Sequence, residues 1–308
     1  MSRPRTPLPP GLDGRSVRSA DLPSWGIGRS RTRHEDFDRP FHGMAAVNVD
    51  RSQVLGACTA FEAVRLSGQV YSHTTAAALY GIPLPSHIDQ ATLHLSVPAP
   101  RTAPRRPGIV GHSIRVHEFL PRRLDGLPVM SPADTWCHLA ALISAEDLVA
   151  AGDYIISPPH QRRTRRPPLA TIPELRAAAV RHRGNRGAKR FTWALPLLRP
   201  GVDSPPETHL RLLLIASGLP EPLIADPTPV EGGLVLHPDL KYPQWRVAIE
   251  YEGDGHRLDK RQWRRDITRR ELLESAGWRV IRVTADDLYI DPDALIRRIR
   301  SVLRQRQA

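Results

Sequence analysis

The chain has 308 residues, of which 40% are hydrophobic, so it is long enough for two domains with ordinary cores. This composition excludes a fully disordered protein. Its 44 lysine and arginine residues exceed its 32 aspartate and glutamate residues, which gives a net charge of +12, and Lys189, Lys241 and Lys260 are the only lysines. Such a balance favours a polyanionic partner, because guanidinium groups grip phosphate with two hydrogen bonds and binding to nucleic acid releases counterions. Nucleic acid, DNA above all, is the leading candidate.

The cysteines and the apolar segments indicate the compartment. Cys58 and Cys137 lie in apolar segments without the spacing of metal ligands, which predicts two reduced core residues. No run approaches the ~18–20 apolar residues that span a bilayer, and the first residues lack the apolar core of a signal peptide. We therefore expect a cytoplasmic protein that is not bound to a membrane.

The first segment, residues 1–28, is rich in proline, arginine, serine and glycine and shows no hydrophobic periodicity. This composition predicts a flexible leader. After it, the spacing of apolar residues predicts a helix at about residues 50–66, and a second helix is expected to begin after Ser72 and to end at Gly81. We therefore expect two small helices in tandem.

Two segments of alternating residues follow and predict β-strands at residues 93–97 and 111–117. The loop between them holds Arg101, Arg105 and Arg106. Two helices and a hairpin with a basic tip suggest a winged-helix-like module. We therefore predict such a DNA-binding module at residues 29–120, with the three arginines as nucleic-acid contacts.

Residues 121–200 are predicted to form a helical connector rich in arginine. Helices are expected from Ser131 through Trp136 and near residues 145–151. Between residues 161 and 200 the chain holds ten arginines and a lysine against one acidic residue. A solvated linker and a segment that contacts phosphate both fit this pattern. The second interpretation adds Arg162 and Arg163 to the nucleic-acid contacts.

A second domain is predicted at residues 201–308. Its first helix is expected to begin after Ser204, with prolines in its first turn, and to end before Gly218. The later elements are a strand, a hairpin at residues 234–252, a helix at about 259–276, a strand at 278–283 and a helix that begins at Asp291. This order predicts an α+β fold in which helices flank a mixed sheet.

The predicted hairpin carries three acidic side chains. If its turn is centred on Gln244 and Trp245, paired positions sum to 489, so Asp239 lies across from Glu250. Glu252 shares the face of Glu250 because side chains alternate along a strand. Directly opposed Cβ atoms lie about 4.5–5.5 Å apart, and carboxylates this close repel each other unless a cation or protons intervene. A divalent metal ion is the natural partner.

These acidic residues resemble the core of the PD-(D/E)xK nucleases. Pro238 and Asp239 stand in the place of the PD element, residues 250–252 (Glu-Tyr-Glu) stand in the (D/E)xK position, and Glu207 lies on the helix before them. Within the superfamily, the runs Glu-Tyr-Glu-Gly-Asp-Gly-His and Ala-Gly-Trp-Arg-Val-Ile-Arg-Val look most like the very-short-patch-repair (Vsr)-like endonucleases. The resemblance implies a restriction-endonuclease-like mixed sheet in the C-terminal domain.

The resemblance also implies hydrolysis of phosphodiesters with Mg²⁺ or Mn²⁺, because hard oxygen ligands suit such ions and the ion lowers the pKa of a bound water. It implies that Asp239 and Glu250 bind the metal and that Glu252 completes the shell. Glu207 would reach a second ion or a metal-bound water. His256 is expected to act as general base or as acid for the leaving group, since a neutral imidazole accepts a proton near pH 7.

The chain departs from the superfamily at the position of its lysine, where it has Glu252. A carboxylate cannot perform the electrostatic task of lysine, so we interpret Glu252 as a further metal ligand. Lys241, on the same face as Asp239, is expected to supply a relocated cation and to contact nucleic acid. Two structural alternatives stay open: Glu207 lies three residues after a serine, as in a capping box, and His256 is an ordinary loop residue.

The N-terminal region adds a second resemblance. Residues 71–85 (Tyr-Ser-His-Thr-Thr-Ala-Ala-Ala-Leu-Tyr-Gly-Ile-Pro-Leu-Pro) are similar to AbiE-type antitoxin and regulator domains. Two functions therefore compete: a metal-dependent endonuclease of DNA repair or defence, and a noncatalytic DNA-binding regulator that retains a degenerate nuclease fold. A repair protein or a toxin would be the further partner. A protein-interaction scaffold explains the charge but gives the clustered acids no role.

Overall fold

The computed structural model describes residues 7–28, 31, 34–50, 52–157, 167–253 and 260–306, and for residues 260–267 it describes the backbone alone. The chain divides into two compact units. The first comprises Met1–Ile143 and Pro173–Phe191, and the second comprises Ser144–Ile172 and Thr192–Ala308. Both units contain helices and sheets, which confirms the predicted α+β class. The finer division of the chain into four segments stays a prediction.

The elements up to residue 143 are β1 (Ser16–Arg18), β2 (Met44–Ala46), α1 (Val54–Glu62), β3 (Val70–Tyr71), α2 (His73–Tyr80), β4 (Leu93–Pro98), β5 (Arg105–Arg106), β6 (Ile109–Ile114), β7 (Pro121–Leu124), β8 (Leu127–Met130) and α3 (Pro132–Leu139). From residue 144 they are α4 (Ala145–Ile156), α5 (Ile172–Arg181), α6 (Ala188–Ala194), α7 (Pro205–Ala216), β9 (Leu223–Ile224), β10 (Thr228–Pro229), β11 (Val235–Leu236), β12 (Leu240–Tyr242), β13 (Val247–Tyr251), α8 (Lys260–Ser275), β14 (Arg279–Val283), α9 (Ala285–Tyr289) and α10 (Pro292–Gln305).

The ends of the helices follow the local sequence signals. Helix α2 stops at Gly81, whose positive φ of 71° suits a residue without a side chain. Helix α3 begins after Ser131, whose hydroxyl accepts a hydrogen bond from the backbone of Asp134. Helix α10 begins in the same way after Asp291. The predicted helices are therefore confirmed, although Ser72 precedes α2 without capping it through its side chain.

The first unit is built on a mixed sheet with the strand order β5-β6-β4-β3-β8-β7. Strands β4 and β6 are neighbours in this sheet, but they run parallel, so the hairpin predicted for residues 93–97 and 111–117 is wrong. The tight turn lies later in the chain, at Pro107 and Gly108, and joins β5 to β6. A proline followed by a glycine with φ of 75° is a typical turn pair. Arg105 and Arg106 accordingly form a strand beside β6 rather than the tip of a wing.

The described part of the segment predicted as a leader contributes to a hydrophobic cluster of the first unit. Leu12 and Leu22 are buried against Phe37, Ala45 and Val47. Strand β1 pairs with β2 in the same region. Burial of these side chains stabilises this arrangement by about 1.5–3 kcal/mol for each large apolar residue.

The second unit is built on a sheet with the order β14-β13-β12-β9. Strands β12 and β13 form the predicted antiparallel hairpin, and Leu240 pairs with Ile249, which confirms the predicted register. Strand β14 runs parallel to β13. Helices α7 and α10 cover one face through residues such as Leu210 and Ile299, and α8 covers the other through Leu273. The acidic positions of β13 share the face of Ala248, which packs with Leu273.

No helix in the described ranges combines the length and the apolar character that crossing a membrane requires.

Candidate active site

The hairpin register places Asp239 opposite Glu250. Asp239 directly precedes β12, and its Oδ2 accepts a hydrogen bond of 2.8 Å from the backbone N–H of Tyr251. Its own carbonyl oxygen accepts a hydrogen bond from Ala225. Asp239 is therefore fixed from both sides at the open end of the hairpin.

Glu207 lies in the first turn of α7, where it is buried with 8% of its surface exposed. Its carboxylate accepts hydrogen bonds from the hydroxyl of Ser204 at 2.7 Å and from the backbone N–H of Asp203 at 3.1 Å. These contacts resemble one half of a capping box, in which the third helical residue reaches back to the chain before the helix. The structural alternative for Glu207 is thus supported, and it leaves the carboxylate buried next to Asp239.

The electrostatics of this pair follow from burial and mutual repulsion. Burial and the negative charge of Glu207 raise the pKa of Asp239 to about 7, although the Tyr251 N–H and Arg269 oppose the shift. Burial likewise raises the pKa of Glu207. Two carboxyl groups in this situation do not both ionise readily unless a positive charge compensates them. The site therefore favours a proton or a cation.

Arg269 of α8 supplies positive charge to the acids. Its Nε lies 3.2 Å from Oε1 of Glu250, and it lowers the pKa of both Asp239 and Glu207. A further guanidinium nitrogen donates to the carbonyl oxygen of His237. The sequence did not single out Arg269, because α8 is rich in arginine and no local pattern indicates which of them turns toward β13.

Glu252 is held by two residues of β14. Its backbone N–H donates to the carbonyl of Val283 at 2.8 Å, and its carboxylate accepts two hydrogen bonds from the guanidinium of Arg282. Arg282 stands beside Glu250 in the pairing of β13 with β14. The position that corresponds to the lysine of the PD-(D/E)xK pattern therefore holds an ion pair in this chain.

Lys241 has a structural environment. Its Nζ lies 2.6 Å from Oδ2 of Asp226, donates to Thr228 and lies over the ring of Trp278. The residue is 3% exposed. This burial is at odds with the predicted roles of Lys241, because an ammonium group enclosed by these partners reaches neither a phosphate in solution nor Asp239.

The other predicted contacts fall in different places. Arg101 and Arg105 are exposed on the first unit, Arg106 is half-buried, and Arg101 donates to the carbonyl of Ser67 at 3.1 Å. His256, Arg162 and Arg163 lie outside the described residues.

The acids do not converge as tightly as a complete metal shell would require. Within the described ranges, Glu207, Asp239 and Glu250 do not form a group whose ligand oxygens all lie within 4.8 Å of one another. The hairpin thus holds Asp239 at the backbone of Tyr251, the residue after Glu250, and α7 places the charge of Glu207 close enough to act on Asp239, while Arg269 engages Glu250.

A family model matches a segment near the C-terminal end of this sequence. Residues 233–303 match the family model REase_MTES_1575, which describes a restriction endonuclease-like family. The matched segment contains the hairpin with Asp239 and Glu250, and it supports a nuclease-like domain in this part of the chain.

Two relatives and one solved structure are similar over longer stretches. "Uncharacterized protein Rv2248" of Mycobacterium tuberculosis strain H37Rv is 28% identical over 261 residues, which cover 85% of this chain and 90% of the relative. "Uncharacterized protein MT2308" of strain CDC 1551 matches with the same values. The crystal structure of the RV2827C protein from M. tuberculosis aligns with 59% of this chain and 71% of its own at 17% identity and a TM-score of 0.39.

Proposed function

We propose that the protein is a metal-dependent DNA endonuclease whose active site is formed by Asp239, Glu250 and Glu207. The observation that carries this proposal is the register of β12 and β13, whose continuation by one residue beyond Leu240 and Ile249 sets Asp239 across from Glu250, inside the segment that matches a restriction endonuclease-like family. Burial and the charge of Glu207 raise the pKa of Asp239, so the site is electrostatically suited to a cation.

The donor set fits Mg²⁺ or Mn²⁺ in its chemistry, because carboxylate oxygens are the ligands that these hard cations prefer. Asp239 and Glu250 would hold the ion, and Glu207 would reach a second ion or a metal-bound water. When bound, such an ion neutralises charge on a phosphodiester and lowers the pKa of a water molecule. The hydrogen bond from Tyr251 fixes the orientation of the Asp239 carboxylate for this task.

Arg269 fits the role that lysine has in related nucleases. It contacts Glu250, lowers the pKa of Asp239 and is 31% exposed at its side chain, so solvent and a phosphate can approach it. Guanidinium groups bind phosphate oxygens with two parallel hydrogen bonds. Arg269 would bind a phosphate oxygen of the substrate through its guanidinium group.

The basic residues of the first unit support delivery to DNA. Arg101 and Arg105 are exposed, and the chain carries a net charge of +12. Such contacts to the phosphate backbone carry affinity rather than sequence preference. Cys58 and Cys137 are buried and form no disulfide, which supports a cytoplasmic setting.

A plasmid-nicking assay with Mg²⁺ or Mn²⁺ tests the proposal. Glu250→Gln should lower the rate of nicking by at least about 100-fold, as removal of one electrostatic contact from an active site commonly does. Glu274→Gln is the matched control, because Glu274 is also paired with an arginine of α8 but lies on the surface. Equal cleavage by wild type and Glu250→Gln would reject the site.

The noncatalytic regulator is the second candidate, and the ion pair between Glu252 and Arg282 favours it, since this pair replaces the lysine of active nucleases. Thermal melting separates the two functions. A metal-binding site should raise the melting temperature by mass action as Mg²⁺ or Mn²⁺ is added, and Asp239→Asn should remove that response. A wild-type protein that binds DNA tightly without any metal response or nicking would establish the regulator.

A further inference from the structure

Five of the thirteen histidines gather in the interior of the first unit, and the proposed nuclease site uses none of them. They form a chain of ring contacts: His94 and His112 at 5.2 Å between centroids, His112 and His73 at 3.6 Å, His73 and His138 at 4.4 Å, and His138 and His182 at 5.1 Å. Separate elements contribute these residues, so the cluster arises only from the tertiary fold.

Three of these imidazoles have the spacing of metal ligands. One ring nitrogen from each of His73, His94 and His112 lies within 4.8 Å of the other two. His94 on β4 and His112 on β6 share a sheet face, because β4 pairs with β6 in a register that aligns Ser96 with His112. His73 begins α2 above this face. Nδ1 of His94 and Nε2 of His112 lie 3.1 Å apart and share a hydrogen bond, which a metal ion would replace.

The partners of His73 leave one of its nitrogens available. Nδ1 lies 2.9 Å from the hydroxyl of Ser72, which in turn accepts a hydrogen bond of 2.8 Å from Ser96. Metal-binding histidines commonly fix their ring through the second nitrogen in this manner. His73 also has a left-handed φ of 50°, a strained conformation that costs about 1–3 kcal/mol and that tends to occur at functional sites.

The remaining two histidines differ in their hydrogen bonds. His182 is anchored by Asp134 at 2.9 Å and by Asn185 at 3.0 Å. His138 is 7% exposed, and neither of its ring nitrogens has a hydrogen-bond partner within the described part of the chain. A buried polar group without a partner is costly, so its place beside His73 indicates that a ligand belongs to the cluster.

We propose that His73, His94 and His112 bind a divalent transition-metal ion of the Zn²⁺ class, with His138 beside them as a further imidazole. Imidazole nitrogens select such ions over Mg²⁺ and Ca²⁺. Three histidines leave one position of a tetrahedral zinc site open, as in catalytic zinc centres. His94 and His112 are half-buried, whereas His73 is buried.

Calorimetric titration of the tag-free, full-length protein with Zn²⁺ tests this proposal. We expect one ion per chain and at least about 100-fold weaker binding in His94→Gln and His112→Gln, since even partners of metal ligands contribute about 10–100-fold. Ser72→Ala should weaken binding by about 10-fold through His73. His117→Gln is the control, because His117 is exposed on the same unit and lies outside the cluster. Unchanged affinity in both cluster variants, or no binding by wild type, would overturn the proposal.

A measurement on the unaltered protein avoids dependence on variant folding. Histidine-selective ¹⁵N NMR should show shifts for His73, His94 and His112 at one equivalent of Zn²⁺, while His117 and His87 stay unchanged. Asp239→Asn should retain this response, which separates the histidine site from the nuclease site. Shifts confined to histidines outside the cluster would refute the assignment.

Discussion

Asp153 of α4 accepts three hydrogen bonds in the interior of the second unit. Its Oδ2 accepts from Arg211 and from the hydroxyl of Thr208, both at 2.9 Å, and its Oδ1 accepts from the backbone of Arg199 at 2.6 Å. The side chains of Asp153 and Arg211 are 1% and 0% exposed. Burial raises the pKa of Asp153 to about 6, so the charge itself contributes little net stability. Removing the charge of Asp153 destabilises the protein instead because Arg211 then keeps a buried charge without its main partner.

Asp153→Asn keeps the shape of the side chain but removes the countercharge from Arg211. The arginine retains Glu221 at 3.2 Å, which is partly exposed, and the carbonyl of Leu197. Breaking a buried ion pair from one side costs about 3–5 kcal/mol, and the remaining partners place this variant near the lower end, at about 3 kcal/mol of unfolding free energy. Arg211→Met should cost less, because Asp153 can then take up a proton.

A double-mutant cycle provides the test. The free energy of unfolding is measured by urea denaturation and by hydrogen exchange of the amides of α4 and α7, for wild type, both single variants and the double variant. The double variant should be about 2 kcal/mol more stable than the sum of the single effects predicts, since neither charge is then left unpaired. Glu274→Gln, a surface pair of the same unit, should change stability by less than about 1 kcal/mol. Additivity of the two single effects within about 0.5 kcal/mol would refute the reasoning.

Three further outcomes are expected. Without metal, the free energy of unfolding of wild type relative to Asp239→Asn should fall as the pH rises from about 4 toward 7. The reason is that folded Asp239, with a pKa of about 7, keeps its proton in this range, whereas unfolded Asp239 has lost it. A constant difference between the two proteins across this range would contradict the raised pKa. Gly187→Ala should lower the stability by more than Gly11→Ala. Both glycines have φ near 90°, but a Cβ at Gly187 would lie 2.5 Å from the carbonyl of Ala140, whereas a Cβ at Gly11 would have nothing within 4 Å. Equal melting temperatures of the two variants would show that the structure around Gly187 relaxes. Arg105→Ala should reduce the slope of log binding constant against log salt for duplex DNA by about 0.9, measured by fluorescence anisotropy, and an unchanged slope would remove Arg105 from the interface.

The local signals of the sequence determined the acidic hairpin of the second unit and several helix ends in both units. The alternation of apolar and polar residues on either side of Gln244 and Trp245 fixed the register that sets Asp239 against Glu250, because a slip by one residue would turn Val247 and Ile249 out of the core. Glycine and N-cap residues determined where α2, α3 and α10 begin or end, since these signals act within one helical turn.

The partners of charged side chains were decided by the tertiary structure. Lys241 shares a strand face with Asp239, yet loop residue Asp226 and the ring of Trp278 enclose its ammonium group. Arg269 became the cation of the candidate site only because α8 packs over β13. A sequence shows the type and spacing of a residue, whereas its partner depends on contacts between segments far apart in the chain.

The same distinction holds for the first unit. Alternation predicted strands at residues 93–97 and 111–117, and the structure has them at Leu93–Pro98 and Ile109–Ile114. Their parallel pairing depends on the turn at Pro107 and Gly108 and on the path of the chain between them. That pairing brings His94 beside His112, and the packing of α2 and α3 adds His73 and His138. The sequence alone determined the α+β class, the helix ends and the acidic hairpin, because these depend on neighbouring residues. The tertiary structure decided which charges meet and where the histidines converge, because long-range packing governs both.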